Sequence, residues 1–244
     1  MGGTVARAVA ADDELELVAA VDLNAPGATI EGVTISSSQG VFESAGCDVV
    51  VDFTVTAAAR AAIPAVLAHG IHAVVGTTGL TDADLDSFAA ASEAGGGNVL
   101  VAANFSISAV LLMRLSELAA PFFDTVEIIE LHHDNKADAP SGTALATADR
   151  IAAASADWAP DPTTSEVLPG ARGGLGPAGI RLHSVRMRGM VAHQEVILGA
   201  AGQTLTLRQD SYDRESFMPG VLLACKRIAD VPGLTRGLDA LLDL

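Results

Sequence analysis

Apolar positions in this chain alternate between helical and strand-like spacing, and that succession predicts its elements. Thr4 to Ala11 has helical spacing, and Leu15 to Val21 alternates and runs apolar like a strand that ends at Asp22. Residues 24–40 are turn-rich and predict no defined element. Cys47 to Phe53 is a buried-type strand, followed by a helix from Thr56 to His69, a strand from Ile71 to Val75 and a helix from Asp82 to Ala94. A strand from Val99 to Ala102 then leads into a helix ending near Ala119. Strands that alternate with helices in this way predict a doubly wound parallel sheet of the α/β class. Such sheets bind ligands beyond the carboxyl ends of their strands, where Asp22, Thr54, the Gly76–Gly79 turn and Asn104 all fall.

Beyond residue 120 the pattern changes. Val126 to Leu131, Arg181 to Arg186, Gln194 to Gly199 and Thr204 to Gln209 read as strands of a second, open mixed sheet, with a helix from about Thr143 to Ala154. Ala152 to Pro162 and Pro169 to Gly179 read as loops, and Phe217 to Ala229 as a last long helix.

Composition narrows the function. The 244 residues carry a net charge of -16, which disfavours nucleic-acid binding. Half of them are hydrophobic, yet no apolar run is long enough to span a bilayer, and the opening residues lack signal-peptide layout. Cys47 and Cys225 are isolated, which suits a reducing compartment, and no zinc-like ligand spacing is present, so a cytoplasmic protein without a metal site is expected.

The richest stretch in side-chain chemistry runs from Glu130 to Ala144, Glu-Leu-His-His-Asp-Asn-Lys-Ala-Asp-Ala-Pro-Ser-Gly-Thr-Ala. A strand carries the chain into His132 and His133, Lys136 follows, and Ser141-Gly142-Thr143 opens a helix whose free first-turn N–H groups favour an anion. One of only two lysines in this acidic chain lies here. Together these groups suit a small polyanion that needs a proton delivered. Neighbouring strand residues point to opposite faces, however, so the histidine pair need not share one site.

This stretch resembles the E-x-H-H-x-x-K-x-D-A-P-S-G-T-A signature of the 4-hydroxy-tetrahydrodipicolinate reductase family, at all fifteen positions. The resemblance implies reduction of a cyclic dicarboxylate by NADH or NADPH in the diaminopimelate route to lysine. It implies a Rossmann-type domain at 1–105 and 215–244, a substrate and oligomerisation domain at 106–214, and a homotetramer. It gives His132 the role of general acid, Lys136 that of second proton donor or electrostatic stabiliser, and His133, Gly142 and Thr143 that of holding substrate carboxylate. Gly76-Thr77-Thr78-Gly79 resembles the family's G-T-T-G segment near the nicotinamide, and Ala102-Ala103-Asn104-Phe105 the segment completing that pocket; read alone, both are ordinary turn and capping chemistry. Leu168 to Gly173 and Asp210 to Arg214 also resemble family segments, while His193 and Arg188 are left without a role. Asp22 can accept hydrogen bonds from the adenosine ribose, and no arginine follows it, which tilts the cofactor towards NADH because a 2′-phosphate would be repelled.

One departure stands out. The family opens with a short apolar strand and a G-x-x-G-[RK]-M-G loop, and Met1-Gly2 matches only the last two residues of that loop. The first strand of the sheet is therefore expected to be missing, through a start placed too far downstream or a truncation. Weaker dinucleotide binding and lower stability than a version extended at the N-terminus follow as expectations. An inactive truncated form, or a non-catalytic relative that keeps the dicarboxylate pocket, is the alternative; another two-domain Rossmann oxidoreductase is disfavoured by the signature.

Overall fold

The computed structural model describes residues 1–242, which divide into two compact units: Met1–Ser106 with the segment from Phe217 onward, and Ile107–Ser216. The first unit opens with α1 (Gly2–Ala10), β1 (Ala20–Val21), β2 (Thr29–Ile30), β3 (Val33–Ser36) and α2 (Gly40–Ser44). It continues through β4 (Val49–Asp52), α3 (Thr56–Ala68), β5 (His72–Val75), α4 (Asp82–Gly95) and β6 (Val99–Val101). The second unit holds α5 (Ile107–Ala119), β7 (Thr125–His132), α6 (Gly142–Ala154), β8 (Gly174–Leu175), β9 (Arg181–Arg186), β10 (Ala192–Ala200) and β11 (Gln203–Ser211). The chain then returns to the first unit with α7 (Met218–Arg227) and β12 (Leu234–Arg236).

In the first unit β4, β5, β6 and β12 form a parallel sheet in the order β12-β6-β5-β4. Val74, Val75, Val99 and Leu100 are wholly buried in it, as expected for a parallel sheet covered on both faces. α3 and α4 cross so closely that glycine is required: a Cβ on Gly95 would lie 2.1 Å from the Leu67 carbonyl oxygen. Gly95→Ala is therefore expected to destabilise the unit by about 1–3 kcal/mol, read as a lower denaturation midpoint. The returning segment is tied in by Asn98, whose amide donates to the Ile228 carbonyl and whose carbonyl accepts from the Gly233 N–H.

Two expectations are corrected here. Leu15 to Val21 alternates like a strand, yet only Ala20 and Val21 pair, with Ile35 and Ser36 of β3, and Val18 stays 38% exposed. A strand needs a ladder, and among the described residues this run has a neighbour on one side alone. The turn-rich residues 24–40, for which the pattern predicted nothing definite, supply β2 and β3 and make a separate sheet of order β1-β3-β2. The strand β12 had no clear sequence signal, because three residues after a turn show no period.

The second unit is a mixed sheet of order β11-β10-β7-β9-β8, with β7 parallel to β9 and antiparallel to β10. Within the expected loop Pro169 to Gly179, Gly174 and Leu175 pair with β9. One sheet face, carrying Val126, Ile128, Val196 and Leu198, packs with Ala144, Ala148 and Ile151 of α6 and Leu112 of α5 into a buried core.

Candidate functional site

β7 alternates as a half-buried strand must, so Glu130 and His132 lie on the same face as Val126 and Ile128. That face carries a fully buried carboxylate. Glu130 is 0% exposed and accepts from three directions: the Arg186 guanidinium at 2.7 and 2.8 Å, the Ser141 N–H at 3.3 Å, and His132 Nδ1 at 2.5 Å. It thus joins β7, β9 and the start of α6. Arg186 also donates to the Asp138 carbonyl at 2.7 Å, bracing the turn that holds Lys136. With Nδ1 turned to a carboxylate, the His132 Nε2 is the nitrogen left to face a ligand.

The electrostatics follow from this arrangement. Burial alone would raise the Glu130 carboxyl, but Arg186, Ser184 and His132 together hold it below the ordinary glutamate range. Burial also pushes the His132 imidazole below its usual value; Glu130 opposes this, and the cations of Lys136 and Arg186 add to it. A carboxylate beside an imidazole ordinarily raises it. Here Arg186 neutralises much of that charge, so burial prevails.

α6 begins at Gly142 with Ser141 as its N-cap, the Ser141 hydroxyl accepting from the Ala144 N–H at 3.2 Å. Ser141 is buried and its hydroxyl serves as the helix cap. The first-turn N–H groups of Gly142 and Thr143 have no acceptor within the helix. α6 is pinned to the sheet by Gln194, whose amide donates to Thr147 at 2.7 Å. His133 is exposed just beyond the end of β7, and Lys136 makes two 2.8 Å bonds to Asp138. Arg188 pairs with Asp134, and buried His193 with Asp210. Arg186 was missed in the sequence because it lies 56 residues from Glu130 and only the pairing of β7 with β9 brings them together.

The first unit gathers its own set at strand carboxyl ends. Asp22 follows β1, exposed, its carboxylate turned back to the Asn24 N–H at 2.8 Å. Gly76 follows β5 with its bare Cα against Phe53, whose ring a Cβ would strike at 2.1 Å. Thr77 is buried and donates to Asp52, which also accepts from the Thr54 hydroxyl and N–H. That makes Asp52 the brace of this loop, a role with no sequence signal of its own. Thr78 and Gly79 are exposed, the Thr78 carbonyl accepting from Thr56. Beyond β6, Ala102 and Phe105 are buried, Phe105 against Phe53 with ring centroids 5.5 Å apart, while Ala103 is exposed and Asn104 accepts from the Ser106 N–H. An exposed carboxylate after one parallel strand and a braced glycine loop after another fit a dinucleotide.

A doubly wound nucleotide unit joined to an open mixed sheet with an imidazole–carboxylate site defines the class of two-domain Rossmann oxidoreductases. Residues 1–105 match the model described as "Dihydrodipicolinate reductase, N-terminus" and residues 108–242 that described as "Dihydrodipicolinate reductase, C-terminus". The 4-hydroxy-tetrahydrodipicolinate reductases of Nocardia farcinica and Streptomyces coelicolor are 51% and 48% identical to the chain. Both alignments cover all of this chain and 95% and 94% of the relatives. Among solved structures, the dipicolinate-bound dihydrodipicolinate reductase from Paenisporosarcina sp. TG-14 is similar with a TM-score of 0.89 and 36% identity, over 98% of this chain and 94% of that one. The chain belongs to the dihydrodipicolinate reductase family, that is, the 4-hydroxy-tetrahydrodipicolinate reductases. Enzymes of this family are oxidoreductases that use NADH or NADPH.

Proposed function

We propose that this chain reduces 4-hydroxy-tetrahydrodipicolinate to tetrahydrodipicolinate with NADH or NADPH, in the route to diaminopimelate and lysine. The observation that carries the proposal is the buried Glu130 that orients His132 beside the free amides of Gly142 and Thr143. Dipicolinate, the ligand named for the similar Paenisporosarcina protein, is a planar cyclic dicarboxylate of the kind such a site would hold.

When bound, the reduced nicotinamide supplies hydride. Asp22 would hold its adenosine ribose, and the backbone of Gly76, Thr77 and Thr78 with Ala102, Ala103, Asn104 and Phe105 would line the nicotinamide pocket. His133, Gly142 and Thr143 would hold substrate carboxylate by charge and by first-turn N–H groups. The substrate's 4-hydroxyl leaves as water, hydride adds at the carbon it left, and protonated His132 would deliver a proton to the neighbouring ring carbon that becomes electron-rich, while Lys136 would stabilise the charge or relay a second proton. The first unit is the proposed dinucleotide domain and the second the proposed substrate and oligomerisation domain. The second sheet leaves the face bearing Glu127, Ile129 and Ile197 partly exposed, which supports assembly into a homotetramer. No helix of the described residues is long and apolar enough to cross a membrane, and a cytoplasmic enzyme is proposed.

The test is the fall in nicotinamide absorbance when the chain meets NADH or NADPH and freshly generated substrate. Turnover is expected. Because burial lowers the His132 imidazole, kcat/KM should decline as pH rises through a value below the ordinary imidazole range of about 6.5. Failure to turn over, with dipicolinate still bound, would instead favour the non-catalytic relative.

A further inference from the structure

In the second unit two buried polar side chains lie opposite each other on the inner face of the sheet, Glu130 of β7 and Gln194 of β10. Each is bonded to the start of α6. Glu130 accepts from the Ser141 N–H at 3.3 Å, and the Gln194 amide donates to the Thr147 hydroxyl at 2.7 Å. Thr147, one turn into the helix, donates in turn to the Thr143 carbonyl at 2.8 Å. The direction of this chain is forced. A carbonyl only accepts, so the single hydroxyl proton of Thr147 goes to Thr143, and Gln194 must be the donor to Thr147. The chain therefore runs from β10 to the backbone of a residue whose own N–H lies in the free first turn.

Gln194 is 2% exposed and Thr147 0%. Burying an amide and a hydroxyl costs more than burying an apolar pair of the same shape, and the hydrogen bond between them contributes only modest net stability. What the pair adds is direction. The rest of the α6 face in this core is Ala144, Ala148 and Ile151, and apolar contact is non-directional. Alanines leave a helix able to shift along or about its axis with little loss of contact. Hydrogen bonds at 2.7 and 2.8 Å resist such a shift, because they weaken steeply with misalignment.

We infer that Gln194 and Thr147 are positioning residues, which set where the first-turn amides of Gly142 and Thr143 meet the substrate carboxylate. The inference rests on the proposed role of those amides and deepens it. Two facing residues of the sheet thus divide the work. Glu130 orients the proton donor His132, and Gln194 fixes the anion-holding turn through Thr147. The two tasks have different kinetic signatures, since carboxylate holding governs substrate binding and His132 governs the proton step.

The test uses Thr147→Val, which keeps the shape and removes the hydroxyl, and Gln194→Met, which breaks the same chain from the sheet side. Thr147→Ser keeps the hydroxyl. Each is titrated with dipicolinate in the presence of NADH, assayed by steady-state kinetics and unfolded in denaturant. Thr147→Val and Gln194→Met should each weaken dipicolinate binding and raise substrate KM by about tenfold, as contacts to a carboxylate become misaligned. kcat should stay within a few-fold and the pH dependence assigned to His132 should not move, while Thr147→Ser binds dipicolinate like the wild type. Unchanged dipicolinate affinity in both variants, with only a lower denaturation midpoint, would overturn the inference and leave the proposed reaction standing. So would a fall in kcat at constant KM. A wild-type chain that binds no dipicolinate would overturn the proposed role of the first-turn amides, and this inference with it.

Discussion

Replacing His132 with glutamine is expected to lower kcat by about 10²–10³-fold while substrate KM changes by only a few-fold. Glutamine keeps a hydrogen-bonding group beside Glu130 but cannot donate a proton at neutral pH. If His132 is the acid, the pH dependence of kcat/KM on its ionisation should vanish with it. Steady-state kinetics with NADH across a pH series checks this, and a variant with near-normal kcat would remove His132 from the acid role.

The second large effect is one of stability. Arg186→Met removes the guanidinium that compensates Glu130, whose side chain is fully buried. Breaking a buried ion pair from one side leaves an uncompensated charge and is expected to cost about 3–5 kcal/mol. The doubly neutral Arg186→Met, Glu130→Gln protein should regain much of that loss, since no buried charge remains. Denaturant titrations of the two single variants and the double variant measure the coupling, and simple additivity would exclude it. The pH dependence has a definite sign. Glu130 is held below its unfolded value, so its contribution is complete above the ordinary glutamate range of about 4.3 and is lost as pH falls through the lowered value in the folded state. Wild-type protein should therefore lose stability on acidification more steeply than Glu130→Gln does.

Much of this molecule could be read from residues near one another in the chain. The helices Thr56–Ala68 and Asp82–Gly95 and the strand Arg181–Arg186 follow from periodicity within a single segment. The segment Glu130–Ala144 states its chemistry as a contiguous motif. Glu130 itself sits in that motif, yet nothing local says that its carboxylate is buried. Its partner Arg186 is ordinary in sequence until β9 lies beside β7. Leu15–Val18 shows the opposite failure: the pattern predicts a strand, and among the described residues it has no strand partner.

The sequence by itself determined the main helices and longer strands, the two-part α/β architecture and the family signature at Glu130–Ala144. Hydrophobic period, capping residues and a contiguous motif are all local properties. Only the tertiary structure decided that the first unit's strands form two separate sheets, that Asp52 braces the glycine loop, and that Arg186 compensates the carboxylate orienting His132. Those outcomes depend on which backbone edges meet and which charges are buried together, and both are set by contacts between residues far apart in the chain.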